Sequence, residues 1–116
     1  MTKIVDRPED FAATALAGFC AAHADRVIPV PHGALRAYAG APGKVALVVG
    51  GGSGHYPAFL GYVGPGLADG AVAGDVFASP STSAVAGVAR AADLAGGVIL
   101  GFGNYAGDVL NFGAAA

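Results

Sequence analysis

The run Lys44 to Val49, KVALVV, is a short apolar stretch that ends abruptly in Gly50-Gly51-Gly52-Ser53-Gly54. It shows no alternation of polar and apolar residues, so it predicts a strand covered on both faces rather than one with a wet side. A strand of that kind needs helices above and below it, and the rest of the chain supplies them. Pro8-Glu9-Asp10 sets two acids beside a proline, as a first helical turn prefers, and apolar residues then recur at helical spacing from Phe11 through about Ala24. Asp25 to Pro31 holds two prolines and reads as a connection, Ala34 to Tyr38 as a short strand, and Gly40 to Gly43 as a turn. From Gly50 to Gly70 glycine is so frequent that only short helical pieces are expected. Ala71 to Ala78 predicts a further strand, Ser79-Pro80-Ser81-Thr82 a cap, and Ser83 to Ala95 an alanine-rich helix. Gly96-Gly97 ends that helix, and Val98 to Phe102 (VILGF) reads as another buried strand. Alternation of this kind predicts an α/β fold with a mixed or partly parallel sheet flanked by helices.

The totals exclude several classes. In 116 residues, 54% are hydrophobic and 12% charged, the opposite of a disordered chain and only about half the usual charged share of about 25%. So apolar a surface is expected to be partly covered by something else. The net charge of −2 and six scattered basic residues provide no footprint for nucleic acid. The single cysteine, Cys20, has no partner for a disulfide or a thiolate metal site, and in its apolar run it reads as an inert buried thiol. No secretory leader opens the chain, and every apolar run breaks well short of the ~20 residues of a membrane span. A cytoplasmic protein is therefore expected. Asn104 to Ala116 starts a new helix without a closing signal, so residues 1–116 read as the N-terminal part of a longer protein.

The candidate chemistry lies where strands end. In α/β sheets, ligands collect outside the carboxyl ends of strands. Four glycines in five positions at such an end can present bare amides to a phosphate or, equally, to a polyhydroxylated substrate. The competing structural reading is a tight turn against a neighbouring strand, which would suffice for one glycine but accounts poorly for four. No Lys-Ser/Thr follows the glycines as a Walker loop requires, and His55 stands where a dinucleotide loop or a nucleophile elbow would have glycine. His55, at the edge of that loop, can accept a proton from a substrate hydroxyl. His23 and His32 read as ordinary structural histidines. Asp108 follows the VILGF strand and is either a second site residue, binding hydroxyls or orienting His55, or a helix N-cap.

Four motifs in order, GGGSGH (50–55), GYVGPGL (61–67), VFASPS (76–81) and NYAGDVLNF (104–112), resemble the N-terminal part of the substrate-binding, DhaK-type domain of dihydroxyacetone kinases. The resemblance covers nearly the whole chain. It implies an incomplete DhaK-like domain in which Gly52, Ser53 and Gly54 contact a small ketose, His55 is the acid/base residue, and Asp108 binds and helps activate the hydroxyl to be phosphorylated. The family's covalent histidine lies further along, and neither His23 nor His32 falls in its motif. The resemblance further implies that this segment binds no cofactor or metal. The phosphate donor, ATP-Mg or a phosphoprotein of a sugar phosphotransferase system, would sit on a separate nucleotide-binding DhaL-type domain or subunit or on another protein. The full-length form would be a homodimer. Many dihydroxyacetone-specific members carry Glu after the loop histidine and Lys before the Asn-Tyr; Tyr56 and Gly103 stand there instead. That departure resembles the erythrulose kinase branch. The alternative is a non-catalytic ketose-binding regulator on the same domain, and the presence of both His55 and Asp108 favours the enzyme.

Overall fold

A computed structural model describes residues 7–116. Three α-helices and five strands follow in the order α1 (Phe11–Ala22), β1 (Val27–Val30), β2 (Gly33–Arg36), β3 (Ala46–Ser53), β4 (Gly70–Val76), α2 (Thr82–Ala92), β5 (Val98–Phe102) and α3 (Ala106–Ala115), with short 3-10 turns at Pro8–Asp10 and Leu60–Tyr62. The strands form one mixed sheet ordered β1-β2-β4-β3-β5. β3 runs parallel to both β4 and β5, while β2 is antiparallel to β1 and β4. The predicted α/β class, with a partly parallel sheet and flanking helices, is the one observed.

Strand alternation sends successive side chains to opposite faces, and two separate cores result. On one face Ala46, Val48, Val72 and Leu35 pack with Val85, Val88 and Ala92 of α2 and Phe112 of α3. On the other, Ala34 and Ala71 join Val27, Val63, Ala68 and Cys20 of α1, with Leu47 and Val49 against them. β3 is thus covered on both sides, as its unalternating run predicts. The Cys20 thiol is buried and its pKa is raised by that burial, consistent with an inert thiol. Several apolar side chains nevertheless remain exposed, Ile99 of β5 and Leu110 of α3 among them.

Two expectations need correction. Residues 25–31 are not merely a connection, because Val27–Val30 forms β1 despite Pro29. β1 is the outer strand of the sheet and needs partners on one side only, which is where a strand tolerates a residue without N–H. The glycines are not a loop either: Gly50, Gly51 and Gly52 continue β3, which runs to Ser53. A Cβ on Gly50 would lie 2.7 Å from the Val72 carbonyl oxygen and 2.9 Å from the Phe112 ring; one on Gly51 would collide with the Phe59 ring. These residues are bare so that neighbours can approach. The remaining differences are shifts of a few residues at element ends, α2 for example stopping at Ala92. Its predicted cap is present, the Ser81 Oγ accepting from the Ala84 amide at 3.1 Å.

Candidate functional site

Because β3, β4 and β5 are mutually parallel, their carboxyl ends meet at one edge of the sheet, and each hands on to a segment bearing a notable side chain. After β3 the chain turns at Gly54 (φ +102°) and presents His55. After β4 it turns at Phe77 and runs through Ser79 to the cap of α2. After β5 it passes Gly103 and Tyr105 and enters α3, where Asp108 lies in the first turn. These pieces enclose a cleft of about 420 Å³ lined by Gly52 and His55, by Phe77, Ala78 and Ser79, and by Tyr105, Gly107 and Asp108.

The backbone of residues 77–80 folds back over the sheet into space left by two glycines. A Cβ on Gly52 would lie 2.7 Å from the Ala78 nitrogen, and one on Gly74 would lie 2.6 Å from the Pro80 nitrogen. Phe77 donates its amide to the Ser53 carbonyl at 2.8 Å, and the Ser53 hydroxyl donates to the Gly74 carbonyl at 2.6 Å. From α3, the Asn111 amide donates to the Pro80 carbonyl at 3.0 Å. The 77–80 segment is therefore tied to β3 and α3 at once, which fixes the two sides of the cleft relative to each other.

His55 is exposed, with its ring 5.0 Å from that of Phe77 and its carbonyl accepting from Ala58. Asp108 is only 6% exposed. It is not the N-cap, a position held by Tyr105 without a side-chain bond, but the third residue of α3, where the positive end of the helix favours a carboxylate. A Cβ on Gly103 would stand 3.0 Å from its Oδ2, so the bare position at 103 adjoins this carboxylate directly. A base at the mouth and a carboxylate at the wall can together take a proton from a hydroxyl and hold its oxygen in place.

Of the residues singled out from sequence, Gly52, His55 and Asp108 share this cleft. Ser53, Gly54 and Tyr56 line a neighbouring apolar one, also about 420 Å³, under Phe11 and Phe19 of α1. Another opening, about 560 Å³ between α1 and β4, holds neither His55 nor Asp108. His23 bonds Arg26 through Nδ1 at 2.7 Å, and His32 sits in the β1–β2 turn; both are away from the cleft. Among the described residues no three His, Cys, Asp or Glu cluster as metal ligands would, and no helix is long and apolar enough to cross a membrane. Phe77, Ser79, Tyr105 and Asn111 were not singled out individually. Their only sequence signal is membership of VFASPS and NYAGDVLNF.

Residues 17–116 match the Dak1 domain. The chain belongs to the Dak1 family. It is 56% identical over 116 residues to the L-erythrulose 1-kinase of Mycolicibacterium smegmatis, covering all of this chain and 20% of that protein. It is 57% identical over 112 residues to the D-erythrulose kinase of the same organism, covering 97% of this chain and 19% of that one. The Dak1 chain thus spans about a fifth of the length of these curated relatives. The solved dihydroxyacetone kinase from C. freundii, in complex with AMP-PNP and Mg2+, superposes with a TM-score of 0.89 at 35% identity, over 99% of this Dak1 chain and 22% of that one.

Proposed function

We propose that the protein is a small-ketose kinase, this Dak1 chain supplying the first part of its substrate site. The observation that carries the reading is the convergence of His55 and Asp108 on one cleft at the carboxyl ends of three parallel strands. Asp108 would accept a hydrogen bond from a terminal hydroxyl of the ketose and orient it. As the hydroxyl oxygen forms its bond to phosphorus and the bond from phosphorus to the donor breaks, His55 would take the hydroxyl proton. The donor, ATP-Mg or a phosphoprotein, is a second substrate and would be brought by a separate domain or subunit.

The proposed ketose is erythrulose rather than dihydroxyacetone, phosphorylated in the cytoplasm. Two relatives identical to this chain at more than half of the aligned positions are erythrulose kinases, and one of them is named for the 1-position. Gly103 is the structural correlate: it adjoins the Asp108 carboxylate without a side chain of its own, and a Cβ there would already stand 3.0 Å from Oδ2. Because the L- and D-erythrulose kinases match equally well, the two enantiomers are to be compared directly. Kinase turnover of the whole protein is expected to show a higher kcat/KM for one erythrulose enantiomer than for dihydroxyacetone. Gly103→Lys is expected to narrow that preference by about tenfold or more, since a long side chain enters beside the hydroxyl-binding carboxylate. Equal kcat/KM for the three ketoses would refute the four-carbon assignment.

A further inference from the structure

Phe77 stands out on three counts that an ordinary turn residue does not combine. It is 70% exposed, although it is a large apolar side chain. Its φ is +51°, in the left-handed region that residues other than glycine, asparagine and aspartate rarely enter. Its ring lies tilted by 60° against the imidazole of His55 at a centroid distance of 5.0 Å, an attractive arrangement for two aromatic rings. A turn that needed only a reversal of direction would have placed glycine here, as it does at Gly54. Gly54, whose own φ of +102° calls for glycine, also leaves room for this ring: a Cβ there would lie 2.8 Å from the Phe77 Cε1. The backbone on both sides is held, Phe77 by its bond to Ser53 and Ala78 by one to Asp75 at 3.1 Å. The strained conformation therefore aims the ring at His55.

We propose that Phe77 is a positioning residue for His55, its ring fixing the imidazole at the mouth of the cleft in the orientation that receives the substrate proton. The assignment rests on the ketose kinase reading above, in which His55 is the base. An imidazole free to rotate at an exposed position would spend most of its time misaligned, so loss of the ring lowers the rate of the chemical step more than it lowers ketose binding.

The experiment uses the whole protein labelled with carbon-13 in its histidine rings, the His55 signals being assigned from their absence in His55→Ala. Phe77→Leu and Phe77→Gly are expected to move the His55 ring signals, by removing the ring current, and to lower kcat at least about tenfold while ketose KM changes less than about threefold. Phe77→Tyr is expected to restore both. Phe77→Gly also relieves the backbone strain, so its melting temperature is expected to equal or exceed that of the wild type even though turnover falls. His55 signals or a kcat that stay at wild-type values in Phe77→Leu would overturn the proposal. So would a loss of turnover that Phe77→Tyr fails to restore. Failure of the kinase reading itself would appear separately, as a wild-type protein that phosphorylates no ketose or a His55→Ala variant that turns over normally.

Discussion

Among the described residues, Asp69 is a heavily committed side chain. It is 1% exposed, and its carboxylate accepts from the Lys44 ammonium at 2.8 and 3.0 Å and from the Leu47 amide at 2.8 Å, with the Arg36 guanidinium 3.8 Å away. Burial on its own would raise its pKa, but the Lys44 and Leu47 hydrogen bonds and the two cations outweigh it and hold the carboxyl below its ordinary value of 3.8. A carboxyl lowered in the folded state adds stability that is fully present above the unfolded value and is lost as pH falls through the folded one. Its contribution is therefore expected to be flat near neutrality and to disappear only in the acid range below about pH 4. Asp69→Asn is expected to flatten that part of the stability profile and to cost about 3 kcal/mol at pH 7 by leaving Arg36 buried without its counter-charge. An unchanged melting temperature and an unchanged acid slope in Asp69→Asn would contradict this account. None of this network was legible in the sequence, because Asp69 lies 22 positions from Leu47 and further from its two cations, and meets them only through the fold. His55 and Asp108 were legible because each lies within a few residues of the end of an apolar strand. Phe77 was not, because nothing in its neighbours announces a left-handed phenylalanine.

At the scale of elements, β3 shows where composition misleads. Its apolar half was readable as a doubly covered strand, yet its glycine half reads as a loop, since glycine signals flexibility as readily as it signals close approach. The structure resolves the ambiguity: each of Gly50, Gly51 and Gly52 meets a different neighbour, and Gly52 provides the seat on which the Ala78 backbone rests. Gly52→Ala is accordingly expected to push residues 77–80 away from the sheet. That would lower stability by about 1–3 kcal/mol and reduce ketose turnover, because Phe77 and Ser79 move with the segment. Thermal melting and kinase assays of the whole protein check both effects. A variant with wild-type stability would show that the segment does not depend on the bare position. β1 was missed for the opposite reason, Pro29 being a breaker everywhere except in a strand with a free side.

The whole molecule is a sheet with a separate core on each face and its candidate chemistry gathered at one edge. The α/β class and the helix–strand alternation were legible because short apolar runs, helical spacing in α1, an alanine-rich capped segment and glycine breaks mark the elements locally. The sheet order was not, because pairing β4 between β2 and β3 depends on contacts that no local pattern encodes. That order matters for function: it places the ends of β3, β4 and β5 side by side, so that His55 and Asp108, 53 positions apart in the chain, line one cleft. The central claim is that these two side chains act together on a ketose hydroxyl. It is tested most directly by the kcat of the whole protein with erythrulose for the wild type, His55→Ala and Asp108→Asn, each verified to be folded. Losses of at least about a hundredfold in both variants are predicted. Wild-type turnover in either one would contradict the claim.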